Sequence, residues 1–141
     1  MTWAPQETQK VFFEILSQDA ALQSLLQGTP QDTKIYDRVP QEKAFPFVTI
    51  GDMVWDDRGN HTWDGWKGIL TINVWYREPS AGRKQVQNMQ KRIDELIHKQ
   101  EPCIDGWNVV SLRRASANIL LDPDNITLHG IQKYNLLLGE A

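Results

Sequence analysis

The sequence predicts an α+β domain: a mainly antiparallel sheet with its helices packed on one face, in the order α-α-β-β-β-α-β-β. Three observations predict it. Lys67 to His98 reads as a strand, a sharp turn and a helix. Leu70, Ile72, Val74 and Tyr76 alternate at the period of two that a pleated backbone imposes, and Val86, Met89, Ile93, Leu96 and Ile97 recur at steps of three and four. Each element thus offers one apolar face, and packing one on the other buries both. Next, every strand-to-strand connection without a helix can be a hairpin, which favours antiparallel pairing. Finally, 141 residues suffice for a single domain, 1–141, whose core needs neither disulfide nor metal.

From the N-terminus, Pro5 suits a first helical turn, where its missing N–H costs nothing. Val11, Phe12, Ile15 and Leu16 form the apolar stripe of that helix. Ser17 and Asp19 read as a break and a new N-cap, Leu22, Leu25 and Leu26 continue as a short second helix, and Gly28 is expected to end it in a left-handed conformation. Thr33 to Val39 reads as a short strand, placed at a sheet edge by Pro30 and Pro40. Phe45 to Trp55 reads as a longer strand rich in aromatic and β-branched residues. The polar stretch Asp56 to Gly65 is expected to be a long loop joining it to the strand from Lys67. After the helix, Trp107 to Leu121 and Ile126 to Leu138 read as a second hairpin. Its turn, Asp122-Pro-Asp-Asn125, suits type I chemistry with a left-handed Asn. Arg113, Arg114, Ser116 and Asn118 are polar for a strand interior, so one side of that strand is expected to meet solvent or a partner.

A net charge of -3, from 15 basic and 18 acidic residues, argues against a general nucleic-acid binder. The single cysteine, Cys103, excludes an internal disulfide and fits a reducing compartment. No apolar run approaches the ~20 residues that span a bilayer. Met1 to Glu7 lacks the layout of a signal peptide, so a soluble intracellular product is expected.

Little in the chain points to chemistry. Asp56, Asp57, Asp64 and His61 gather oxygens and one imidazole in the polar stretch, yet without the spacing of an EF-hand. His61, His98 and His129 are scattered, and no pair has a zinc-ligand spacing. His98 near a helix end is explained by the helix dipole. Cys103 is expected to be a buried or half-buried small residue. Ser80 reads as an N-cap for the long helix rather than part of a phosphate-binding loop. No catalytic residue, cofactor or metal site is expected. Two features fit a partner surface instead, because Trp and Arg are enriched at interfaces. One is the loop with Asp56, Asp57, Arg58, His61, Trp63 and Asp64, continuing to Trp66. The other is Arg113 with Arg114. The alternative is that the tryptophans fold back on the core and the arginines are solvated.

Several segments, in order, carry a family resemblance: Lys34-Ile-Tyr-Asp-Arg-Val-Pro40, Phe45-Pro-Phe-Val-Thr-Ile-Gly51, Leu70-Thr-Ile-Asn-Val-Trp75, Gly82-Arg-Lys84, Leu120-Leu-Asp-Pro-Asp124 and Thr127-Leu-His-Gly130. Together they span nearly the whole chain, which resembles the tail-completion or tail-terminator family of long-tailed bacteriophages. The resemblance implies a virion structural protein and no enzyme. It implies self-association into a ring, commonly a hexamer, that caps the tail tube and meets the head-tail connector. Its partners would be copies of itself, the tail tube protein and the connector protein, with DNA only as the passing genome and no membrane. Its place would be the head-tail interface of the virion, and the host cytoplasm before assembly. The alternatives are a head-tail adaptor that binds the connector directly, and a small metal-dependent hydrolase using Asp56, Asp57, His61 and Asp64.

Overall fold

The computed structural model describes residues 2–42, 44–78 and 82–141. Its N-terminal half follows from local chemistry. Helix α1 (Ala4–Gln18) opens with Pro5 in its first turn and buries Ala4, Thr8, Phe12 and Leu16 on one stripe, with Val11 and Ile15 beside it. At Asp19 the backbone is extended, and the carboxylate accepts the Leu22 N–H at 2.8 Å, starting α2 (Ala20–Leu26). That helix ends in a left-handed residue, as expected, but the residue is Gln27 (φ 58°) and not Gly28. Gly28 is needed for room instead: a Cβ there would lie 3.3 Å from the Thr33 carbonyl and collide with the Gln23 side chain.

The sheet holds five strands: β1 (Ile35–Tyr36), β2 (Phe47–Asp57), β3 (Gly65–Arg77), β4 (Trp107–Leu121) and β5 (Thr127–Glu140), in the spatial order β1-β2-β3-β5-β4. Helix α3 (Lys84–Ile97) follows β3. Element order and fold class agree with the sequence expectation, with two corrections. The strand expected over Thr33 to Val39 shrinks to two residues, because the chain bends away after Tyr36. Its pairing with β2 is also parallel, through Ile35↔Val48 and Tyr36↔Thr49, so that connection is no hairpin and the sheet is mixed. The other three pairings are antiparallel.

All three helices pack on one face. That face receives Leu70, Ile72 and Val74 from β3 and Tyr134, Leu136 and Leu138 from β5, against Val86, Met89, Ile93 and Ile97 of α3. The apolar side chains of α3 expected from the sequence are the ones buried, with Leu96 packed at the margin. Gln90 is buried among them. It donates from Nε2 to the Asn118 carbonyl, while its own carbonyl accepts Gln132 Nε2. Ser80, expected to cap α3, lies outside the described residues, and α3 begins at Lys84 after Arg83. Cys103 was expected to be buried or half-buried and is exposed, while its neighbour Ile104 takes the core position.

Candidate functional site

The polar stretch is more ordered than a 56–65 loop. Asp56 and Asp57 belong to β2, opposite Lys67 and Trp66, and Gly65 opens β3. The ladder carries on to Arg58, whose N–H donates to the Gly65 carbonyl at 2.9 Å. Only residues 58–64 form the connection, and side-chain acceptors fold it. Asp57 Oδ1 accepts the Gly59 N–H, and Asn60 Oδ1 accepts both the backbone N–H and the hydroxyl of Thr62. Asp64 and Glu140 then bind each other's backbone, tying the loop to the end of β5.

The two tryptophans of this region go to opposite faces. Trp66 points to the helix side, edge-on to Trp3 at 5.2 Å and to Trp55 at 6.1 Å. Trp63 folds back over the other face and lies on the paired glycines Gly65 and Gly139. Even so, 39% of it stays exposed. Beside it, Arg58, Lys67, Ser111, Asn135 and Leu137 complete a shallow concavity of about 440 Å³. His61 is exposed at the loop's tip. Among the described residues, no three His, Cys, Asp or Glu side chains come together as a metal site would need, so Asp56, Asp57, His61 and Asp64 form no such group.

Arg113 and Arg114 do not form one surface. Neighbours on a strand face opposite ways. Arg114 turns to the helix side, pairs with Asp94 of α3 at 2.5 Å, and donates its backbone N–H to His98 Nδ1. Through this bond the His98 ring caps the outer edge of β4. Asp94 also accepts the Tyr134 hydroxyl at 3.0 Å. Burial, then Asp94, pushes the Tyr134 phenol well above its usual pKa. Arg113 lies on the face away from the helices, opposite Asn135.

The sheet leaves two surfaces open. Its second face carries no helix, and Val54, Ile69, Trp75, Ile131 and Leu137 lie on it among Lys67, Asn73, Lys133 and Asn135. Its β2 edge is also open. Because β1 pairs only with Val48 and Thr49, no strand among the described residues follows it alongside the rest of β2.

The gp17 tail completion family model matches residues 10–139. This chain belongs to that family. Over 141 residues it is 24% identical to the tail completion protein gp17 of Bacillus phage SPP1, covering 99% of this chain and 98% of that one. The solved structure of bacteriophage SPP1 gp17 has the same fold, with a TM-score of 0.62 at 19% identity over 95% of this chain and 91% of that one. A chain in the virion of a native gene transfer agent particle superposes further, with a TM-score of 0.83 at 17% identity and 99% of both chains covered. At these identities the structural likeness is one of fold. The family is made of phage tail structural proteins, so this tail completion protein is not an enzyme. No helix is long and apolar enough to cross a membrane among the described residues.

Proposed function

We propose that this tail completion protein closes the head-proximal end of a phage tail as a ring of identical copies and presents one side of that ring to the head connector. The observation that carries the proposal is the family match over nearly the whole chain. What the fold leaves exposed supports it, because it is surface for contact: an uncovered sheet face, an open strand edge and a tethered loop bearing Trp63. The 58–64 loop and Arg113 would meet neighbours within the assembly, where Trp and Arg side chains are common anchors.

Electron microscopy of particles made without the protein tests this. Overlong tails without heads are expected, with normal particles restored by the wild-type gene. Tails of normal length that merely fail to join heads would favour an adaptor bound directly to the connector. Normal infectious particles without the protein would overturn both.

A further inference from the structure

The sheet has two edges, and they are finished differently. On β2, the Arg58 N–H bonds to Gly65 of β3. Strand alternation then turns the backbone groups of Met53, Trp55 and Asp57 outward, beyond the reach of the two-residue β1. On β4, Leu112 and Arg114 face outward and are already occupied: the Leu112 carbonyl accepts the Lys99 N–H, and the Arg114 N–H goes to His98. Past the bulge between Arg114 and Ser116, the outward positions become Ala117, Ile119 and Leu121. No backbone partner beyond β5 is found for these three among the described residues. Each edge therefore leaves one run of alternate residues open, and the two runs have the same length. Natural proteins seldom leave such edges bare.

The side chains at the two runs match as well. On the uncovered sheet face, Val54 is 55% exposed and Leu120 is 52% exposed. On the helix side, Leu121 is 48% exposed, and beside β2 a groove of about 520 Å³ opens between α1 and the strand, walled by Trp3, Gln6, Gln9, Met53 and Trp55. Trp3 itself is 60% exposed there. The charges are complementary too. Residues 52–57 carry Asp52, Asp56 and Asp57 and no base, whereas β4 carries no acid and, with Arg114 held by Asp94, presents Arg113 as its available cation. The two runs lie at opposite edges of one sheet, so they cannot meet within a single copy.

We infer that the Ala117–Leu121 end of β4 in one copy adds antiparallel to the Met53–Asp57 edge of β2 in the next. Leu121 then stands opposite Met53, Ile119 opposite Trp55 and Ala117 opposite Asp57, with backbone hydrogen bonds between them. Leu120 meets Val54 on the uncovered face, and Leu121 reaches the groove beside α1. Arg113, further back along β4, comes level with the 58–64 loop and its flanking Asp57 and Asp64. One surface meets a different surface, which is the heterologous contact that closes rings. The offset along the strands is the kind of stagger that tilts strands in a closed barrel. The inference rests on the ring proposed above and names the contact that builds it.

Leu120 and Val54 would form a non-hydrogen-bonded cross-strand pair, with Cα atoms roughly 4.5 Å apart. That is within disulfide reach, where Cα atoms are usually about 4.4–6.8 Å apart. The test is a full-length Cys103→Ser, Val54→Cys, Leu120→Cys protein supplied to particles lacking the wild-type copy and then oxidised. Valine 110 sits at the other end of β4 and is 59% exposed, so a Cys103→Ser, Val54→Cys, Val110→Cys protein is the control. Expected are a ladder of disulfide-linked multimers for the 54/120 pair and none for the 54/110 pair. Copy number per particle is read in parallel by quantitative mass spectrometry of the purified particles. Several copies per particle with no 54/120 ladder would overturn this contact and leave the ring standing. A single copy per particle would overturn both.

Discussion

Trp75 and His129 stack face to face on the uncovered side of the sheet, with ring centroids 3.8 Å apart and planes 13° from parallel. They are cross-strand partners on β3 and β5, and His129 Nε2 lies 2.9 Å from Asn73 Oδ1. Partial burial lowers the imidazole's pKa, with Asp122 offsetting part of the shift. The sign follows from linkage. An unfolded histidine takes up its proton near pH ~6.5, before the folded one does. The contribution is thus fully present above that pH and is lost as pH falls through it toward the folded value. The urea midpoint should hold steady from about pH 8 to 7 and decline as the pH falls below about 6.5. His129→Gln should flatten that decline, since it can keep a bond to Asn73 without titrating. An equal slope in both proteins contradicts the assignment.

Trp63 rests on backbone that only glycine can provide. A Cβ on Gly139 would come within 2.6 Å of Trp63 Cζ2, and one on Gly65 within 2.6 Å of Cζ3. Gly139→Ala should therefore lift the indole off the sheet, at a cost of about 1–3 kcal/mol. Tryptophan emission should shift to the red. Trp63→Ala removes the clash, so the double variant should be less destabilised than the sum of the two singles, by at least roughly 0.5 kcal/mol in a denaturation cycle. Strict additivity would show that the ring does not occupy this place.

These examples mark where the sequence is legible. Alternation at Leu70, Ile72 and Val74 and the stripe from Val86 to Ile97 can be read directly, because each side chain's face is set by its own position in the element. The Asp19 cap was legible for the same reason: its acceptor reaches a neighbour three residues away. What depends on distant chain was not legible. The two-residue length of β1 and its parallel pairing are decided by where β2 lies. The fold of Trp63 depends on Gly139, and the partner of Arg114 is Asp94 on another element. The separation of Arg113 from Arg114 was available from strand geometry alone, since adjacent residues cannot share a face.

Tyr134 locks α3 to the sheet. Its hydroxyl donates to Asp94 Oδ1 and accepts from Gln132 Nε2, each at 3.0 Å, and its ring is fully buried. Tyr134→Phe keeps the packing and removes only the oxygen. The expected loss is about 1–2 kcal/mol by urea denaturation, typical of a buried hydrogen-bonding group. Amides at the start of β4 pair with β5 and have no link to this hydroxyl, so their hydrogen exchange should change only by that global amount. Protection at the C-terminal turn of α3, around Asp94 and Ile97, should drop further. A uniform change across both would show that the hydroxyl does not anchor the helix.

Asp19 joins two helices with one carboxylate. Its Oδ2 accepts the Leu22 N–H that starts α2 and also Arg92 Nε, while Oδ1 accepts Arg92 Nη2 at 2.6 Å. The Arg92 bond is the main reason its pKa lies below the usual carboxylate range. Since the folded value is depressed, the stabilisation is present above the unfolded pKa of ~3.9 and disappears as pH drops below it. Asp19→Asn retains an acceptor for Leu22 but loses the charge facing Arg92. Asp19→Ala loses both and should cost about 1–2 kcal/mol at neutral pH from the cap alone. The order wild type, Asn, Ala is expected at pH 7. As pH falls below ~3.9 the gap between the wild type and the Asn variant should narrow, because the unfolded chain takes up a proton that the Arg92-bound carboxylate resists. A gap between them that is unchanged from pH 7 to 3 would rule out the charge as the source of the stabilisation.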